Sequence, residues 1–155
     1  MRAVVSAFAT LFLLTLSPRV VQAQAQPSAD VVALAPDQLE WQETEEGFLM
    51  AILYGDPSSE GHYAIRFKLP PHWEGRPHTH GGAEIVTVYS GTMYFAYGEE
   101  LSRDAAKSFQ PGSFIALPAG TKMQAFTGDE EVVVDVQGQG PFTTHYLDEK
   151  GGQGR

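Results

Sequence analysis

Short apolar or alternating segments, separated by Gly, Pro, Asp and Ser, run through most of the chain and restrict the folds that it can adopt. No long stretch shows the period of an amphipathic helix. Seven or more short strands at this spacing are typical of a sandwich or a closed barrel, so the sequence predicts an all-β fold. The predicted strands cover residues 48–55, 62–69, 84–98, 112–118, 122–128, 131–138 and 142–147.

Three polar stretches between the predicted strands are candidate turns. They are "GDPSSEG" at 55–61, "SG" at 90–91 and "TGDEE" at 127–131. Connections of this kind join antiparallel neighbours. We therefore expect the strands on either side of each one to pair.

The first 25 residues have the pattern of a secretory signal peptide. Arg2 precedes the apolar run "AVVSAFATLFLLTL", and small residues then favour cleavage after Ala23 or Ala25. The run is shorter than the roughly 20 residues that a membrane span needs. We expect export to the periplasm or beyond, an N-terminal extension at 26–47 with a leading strand near 31–34, a barrel at 48–147 and a frayed tail at 148–155.

Charge and cysteine content exclude several classes of function. Residues 1–25 hold two arginines and no acid, so their removal changes the formal net charge from −9 to −11. Nucleic acid and anionic lipid surfaces need basic patches, and we expect neither as a partner. The chain has no cysteine, which excludes disulfides and thiolate chemistry.

The stretch "RPHTHGGAE" at 76–84 carries the strongest sign of chemistry. On a strand, His78 and His80 point to the same side, and Glu84 follows after the "GGA" kink. Imidazole nitrogens and a carboxylate oxygen at this spacing suit an open divalent metal site. The pattern alone is a moderate indication of metal binding.

Two further spacings extend this pattern. Six residues separate Glu84 from Gly91, and later "GSFIALPAG" places Pro118 between Gly112 and Gly120. The two motifs resemble the signature pair of the cupin superfamily, and "PGSFIALPAG" and "GQGPFTTHYL" are similar to exported single-domain cupins of bacteria. The resemblance covers residues 50–147. It implies a single-domain antiparallel β-barrel, a jelly roll or double-stranded β-helix, with a metal in its mouth.

The same resemblance implies that His78, His80 and Glu84 are metal ligands, but it expects a histidine at position 123. Met123 stands there instead. Three interpretations are open: a thioether ligand that favours copper, a wall residue beside a three-ligand Fe or Mn site, or ordinary core packing in a degenerate site. Fe or Mn is the favoured divalent transition metal, with Cu, Zn or Ni as alternatives.

Other residues are candidates for the site or for a substrate pocket. His72 is a possible replacement ligand or a loop histidine beside Trp73. Arg76 can bind a substrate carboxylate or pair with one of the many acids. Tyr97 and Phe126, like Trp73, are candidates to line the pocket or to fill the core.

The working hypothesis is a metal-dependent enzyme, an oxidoreductase of dioxygenase type, that acts on a small organic molecule in the periplasm. Fold alone does not select among dioxygenase, lyase and isomerase. The rival hypothesis is a barrel that binds or senses a small molecule or copper without turnover. Edge strands in a small domain also predict a homodimer.

Overall fold

The computed structural model describes residues 31–147, and they fold almost entirely into strands. The predicted signal peptide and the tail at 148–155 lie outside this range. One 3-10 turn, Pro36–Gln38, precedes the first strand. The strands are β1 Gln42–Glu43, β2 Leu49–Tyr54, β3 Gly61–Leu69, β4 His78–His80, β5 Glu84–Ser90, β6 Met93–Tyr97, β7 Lys107–Phe109, β8 Phe114–Leu117, β9 Met123–Thr127, β10 Val132–Gly140 and β11 Thr144–Tyr146.

These strands form two antiparallel sheets. The six-stranded sheet has the order β1-β2-β3-β10-β5-β8, and the five-stranded sheet has the order β11-β4-β9-β6-β7. The all-β prediction is confirmed, and so is the rolled barrel that the resemblance implied. Within the described part of the chain, no helix is long and apolar enough to cross a membrane.

The core lies between the sheets because strand side chains alternate between two faces. On β5 and β10, Val86 is paired with Val136 and Val88 with Val134, and all four are buried. From β3, Ile65 is completely buried between the sheets. This two-residue alternation is the pattern that predicted the strands.

The expected hairpin pairing is correct for one of the three turns. The stretch at 55–61 joins β2 to β3, and these strands pair. The other two connections pass from one sheet to the other, because β5 and β10 belong to the six-stranded sheet while β6 and β9 belong to the five-stranded one. At Gly91, where φ is +72°, a Cβ would overlap the Glu131 carbonyl oxygen, so the two crossing turns are packed tightly together.

The N-terminal extension contains a leading strand, but at a different place from the predicted one. No strand is present at 31–34, where Val31 is 93% exposed. The first pairing is between β1 and β2, through Gln42↔Met50 and Glu43↔Leu49. The apolar residues of 31–34 are exposed and do not pack on the core, so the strand predicted from their apolar pattern is wrong.

Candidate functional site

Strand β4 holds the histidine pair in the five-stranded sheet, between β11 and β9. Thr144 and Tyr146 of β11 lie opposite His80 and His78, and on the other side His78 is paired with Met123 of β9. The strand period places both imidazoles on one side, as predicted.

The two imidazole rings meet edge to edge. His78 Nε2 lies 3.0 Å from His80 Nε2. On the opposite edges, His78 Nδ1 is 2.7 Å from the Arg76 carbonyl oxygen and His80 Nδ1 is 3.1 Å from the Thr143 carbonyl oxygen. A carbonyl oxygen only accepts hydrogen bonds, so each Nδ1 carries the proton and donates it.

Both imidazoles are neutral at neutral pH. Burial lowers the pKa of His78, and burial together with the neighbouring His78 lowers the pKa of His80 to about 4. A neutral ring with a protonated Nδ1 has a lone pair on Nε2. Two lone pairs therefore face each other across 3.0 Å, an arrangement that a cation between them would stabilise.

The histidine pair fits a metal ion on this geometry. Two nitrogens about 2.1 Å from one ion and at right angles to each other stand about 3 Å apart. A second contact that holds Nδ1 and leaves Nε2 for the ion is usual for metal-bound histidines. Both features are present on β4.

Glu84, the third predicted ligand, lies elsewhere. Its Oε1 is 3.4 Å from His80 Nδ1, on the far edge of that ring from His78. Tyr63 donates a hydrogen bond to the same oxygen over 3.4 Å. Burial raises the pKa of Glu84 to about 7, so this carboxyl is partly protonated at neutral pH.

The three predicted ligands are thus not gathered around one point. No group of three or more His, Cys, Asp or Glu side chains between residues 31 and 147 is arranged to hold a metal ion. Glu84 supports the orientation of His80 from behind in this structure. Met123 is buried, faces the cavity and lies opposite His78, so it is the side chain that stands near the pair on the neighbouring strand.

Glycines allow the close approach on which this geometry depends. A Cβ at Gly81 would lie 2.5 Å from Thr143 Oγ1, and one at Gly82 would lie 3.1 Å from the Gln139 carbonyl oxygen. The "GG" between His80 and Glu84 therefore lets the chain turn tightly against the segment that leads into β11. A side chain at Gly81 would displace Thr143, whose carbonyl orients His80.

A cavity of about 240 Å³ opens beside the histidines, between the two sheets. His78, His80, Glu84 and Met123 line it together with two predicted pocket residues, Trp73 and Arg76. Much of the remaining wall is apolar and includes Phe48, Phe67, Val86, Phe95, Ala125 and Phe142.

Three predicted pocket residues do not line this cavity. His72 is exposed beside Asp129, with 3.6 Å between Nε2 and Oδ1, and so it does not replace the missing ligand. Tyr97 is the last residue of β6 and is exposed, and Lys107 donates to its hydroxyl. Phe126 is buried on the outer face beneath Arg103, because it is out of phase with the inward-facing Met123 and Ala125.

Two residues at the cavity mouth were missed by the sequence analysis. Tyr146 donates a hydrogen bond of 2.6 Å to Glu46 Oε1, and the guanidinium of Arg76 lies 3.9 Å from the centre of the Tyr146 ring. The backbone carbonyl of Glu46 also accepts a hydrogen bond of 2.9 Å from Trp73 Nε1. Glu46 is in a polar turn without periodicity, so no sequence signal marked it. Tyr146 alternates in phase with Thr144 on β11, and this period was the signal that could have identified it.

Two rolled antiparallel sheets with a histidine pair in the cavity between them define a protein of the cupin superfamily. More narrowly, the sequence of residues 29–143 matches the ChrR cupin-like domain, and the chain belongs to that family. No curated protein sequence matches the chain.

Several solved structures share this fold at low sequence identity. The polyketide cyclase RemF from Streptomyces resistomycificus is 15% identical with a TM-score of 0.65, over 76% of this chain and 86% of that one. A cupin-superfamily sugar phosphate isomerase from Silicibacter pomeroyi is 19% identical with a TM-score of 0.62, over 76% and 82%. The DMSP lyase DddQ from Ruegeria pomeroyi is 19% identical with a TM-score of 0.60, over 74% and 64%. At these identities the similarity establishes the fold.

Proposed function

We propose that this cupin is a metal-dependent enzyme that transforms a small organic molecule in its barrel, with His78 and His80 as the metal-binding pair. The observation that carries the proposal is the 3.0 Å approach of the two Nε2 atoms, each with its Nδ1 held by a backbone carbonyl. That arrangement leaves the lone pairs of two neighbouring nitrogens at the cavity wall.

The remaining side chains have distinct roles in this proposal. Glu84 orients His80 through Nδ1, and Tyr63 holds the Glu84 carboxyl in place. Met123, on the strand paired with β4, carries a soft thioether sulfur. If this sulfur binds the ion, the site favours copper, and if it does not, the site favours Fe or Mn. A divalent ion held by His78 and His80 would supply Lewis-acid chemistry or, if redox active, dioxygen chemistry. The apolar walls exclude water from the reacting molecule.

The reaction class within this proposal is an oxidoreductase of dioxygenase type. Its support is the chemistry open to a two-histidine site with free coordination positions. The sugar phosphate isomerase and the DMSP lyase among the similar folds support small-molecule chemistry in a broader sense. We also propose export to the periplasm through residues 1–25, supported by their charge and hydropathy pattern.

Elemental analysis of the full chain, expressed with its leader and recovered from the periplasm without a metal-binding tag, tests the proposal. We expect about one equivalent of Fe, Mn or Cu, lost in His78→Ala and kept in His62→Ala, a histidine exposed on β3. Met123→Ala then tests the third side chain, since loss of metal in that variant identifies the thioether of Met123 as a ligand. Equal metal content in wild type and His78→Ala would refute the proposal.

A second candidate function is a barrel that binds its ligand without turnover. The observation in its favour is the position of Glu84, whose carboxyl faces Nδ1 of His80 and leaves the pair without an oxygen ligand. Oxygen uptake by the metal-loaded protein in the presence of small organic molecules would favour the enzyme. A ligand that copurifies and stays chemically unchanged after incubation with Fe, Mn and Cu would favour the binding protein.

A further inference from the structure

The cavity wall changes from polar to apolar within a short distance of the histidine pair. On β9 the inward-facing side chains are Met123 and then Ala125, which is paired with Phe95. Two residues along a strand correspond to about 7 Å, so the wall beyond Met123 is already apolar. One sheet of the cavity is therefore polar only at the end that carries the metal pair.

The opposite sheet changes in the same direction. Along β5 the inward-facing side chains are Glu84 and then Val86, and Val86 is paired with Val136 of β10. The next inward residue of β10, Val134, also lines the cavity. Along β5, β9 and β10 the wall thus changes from Glu84 and the histidine end to an apolar interior. Five other polar residues also line the cavity: Thr44, Glu46, Arg76, Thr144 and Tyr146.

The cavity volume limits the ligand to a small molecule. At about 240 Å³ it exceeds the roughly 150 Å³ that holds a benzene ring in an apolar cavity. It is below the roughly 300–1,000 Å³ of pockets for drug-sized ligands. A single substituted ring or a short alkyl chain fits this range.

We propose that the cavity selects a small, mostly apolar molecule with one polar head. The head lies at His78 and His80, and the aryl or alkyl body extends between Val86 and Ala125. A sugar phosphate is disfavoured in this interior, because its hydroxyls would lose their hydrogen bonds with water against Val86, Phe95 and Ala125. This inference rests on the proposed function only in assigning the head to the metal end.

Ala125 is the specificity-determining residue in this arrangement. It is a small side chain on the apolar wall, two residues beyond Met123, and it is 7% exposed. A larger side chain there would occupy the space of the ligand body and leave the histidine end unchanged. The length of the ligand that fits is therefore set at this position.

Fluorescence of Trp73, which lines the cavity, reports ligand binding. The second tryptophan, Trp41, lies outside the cavity with Lys68 Nζ 4.6 Å from its ring centre, and Trp41→Phe removes its signal. The probes are straight-chain alkanoates from butyrate to decanoate, with glucose 6-phosphate as the polar comparator. Affinity should rise about fourfold per methylene until the cavity is filled and then level off.

The variant Ala125→Leu should move this plateau to a shorter chain and leave butyrate affinity within about twofold of wild type. The matched control is Ala116→Leu, an exposed alanine on β8 where the same addition should change nothing. The wild-type series does not depend on either variant folding. Affinity independent of chain length, equal or tighter binding of glucose 6-phosphate, or an unmoved plateau in folded Ala125→Leu would overturn the inference.

Metal content measured on the same samples separates this inference from the proposed function. Chain-length dependence in a protein that takes up no metal would support the apolar ligand and overturn the metal-dependent enzyme. One equivalent of metal without chain-length dependence would overturn the apolar ligand alone.

Discussion

The two sheets of the barrel differ in how extensively their strands pair. In the six-stranded sheet, β3 and β10 are aligned over their full length, from Val132↔Leu69 to Gly140↔Gly61. In the five-stranded sheet, β4 and β11 are three residues long, and β4 meets β9 through the single pair His78↔Met123. The proposed chemistry lies on the sheet with the fewest backbone pairs.

The difference shows that scaffold and site depend on different interactions. The long ladders of the six-stranded sheet fix its strands through backbone hydrogen bonds and inward-facing aliphatic side chains. The short β4 pairs with β11 along its three residues, and its histidines add contacts with the carbonyls of Arg76 and Thr143. Segments with few backbone pairs open locally at low cost, which is common where ligands bind.

The largest expected effect on stability is in the scaffold. Ile65→Ala should lower the free energy of unfolding by about 2–5 kcal/mol, because it leaves a cavity in the fully buried centre of the six-stranded sheet. Urea denaturation measures this loss, and metal bound per folded molecule should not change. The control is Ile85→Ala on the outer face, 39% exposed, with a loss below about 1 kcal/mol. Loss of metal in folded Ile65→Ala would contradict the separation of scaffold from site.

The next effect is a pH dependence at the site. Burial raises the pKa of Glu84 from 4.5 to about 7, so folding favours its protonated form. Its contribution to stability is complete below pH 4.5 and is lost as the pH rises through 7. The variant Glu84→Gln removes this loss, which amounts to at most about 3 kcal/mol.

His80 acts in the opposite direction. Its pKa is lowered from 6.5 to about 4, so its contribution is complete above pH 6.5 and is lost as the pH falls through 4. Between pH 5 and 6 the loss at Glu84 opposes the gain at His80 and at His78, whose pKa burial also lowers, so Glu84→Gln should gain stability with rising pH more steeply there than metal-free wild type. Urea denaturation at several pH values measures both curves. Identical profiles of stability against pH in wild type and Glu84→Gln would show that the Glu84 carboxyl is not protonated by burial.

A smaller effect is expected on the outer face of the six-stranded sheet. Arg66 donates from Nε to Asp135 Oδ1 over 2.6 Å and from a terminal nitrogen to Oδ2 over 2.7 Å, and both side chains are 19% exposed. Asp135→Ala should cost about 1–2 kcal/mol, since the bidentate pair is half-buried. Chemical denaturation measures the loss.

The smallest effect is expected for a pair of the five-stranded sheet. Lys122 Nζ lies 2.7 Å from Glu99 Oε2, but the two side chains are 44% and 88% exposed. Glu99→Ala should change stability by less than about 0.5 kcal/mol, because water screens the pair. A cost equal to that of Asp135→Ala would show that burial does not distinguish the two ion pairs.

Sequence alternation predicted the strands of the scaffold closely. The strand predicted at 62–69 is observed as Gly61–Leu69, and the strand predicted at 112–118 is observed as Phe114–Leu117. It could not predict which sheet a strand would join, because β5 and β6 have the same alternation on opposite sides of the Gly91 turn. The short polar β7 was missed since three residues have no measurable period.

The candidate site was predictable only where the strand period fixes the side chains. His78 and His80 share a face for that reason, and their Nε2 atoms do meet. The direction of Glu84 depends on contacts with His80 and with Tyr63, which is 21 residues away in the chain. Glu46 reaches Tyr146 across 100 residues, a proximity that exists only in the folded barrel. The metal ligands, the homodimer and export remain predictions.

The turn that carries Glu46 connects β1 to β2 of the six-stranded sheet, yet its contacts are with Trp73 and with Tyr146 of the other sheet. The entrance to the cavity is thus formed in part by a segment that is distant in sequence from both histidines. Changes in this turn would alter the entrance without altering the strand that holds the histidine pair. This turn is accordingly the natural position at which to redesign which molecules enter the barrel.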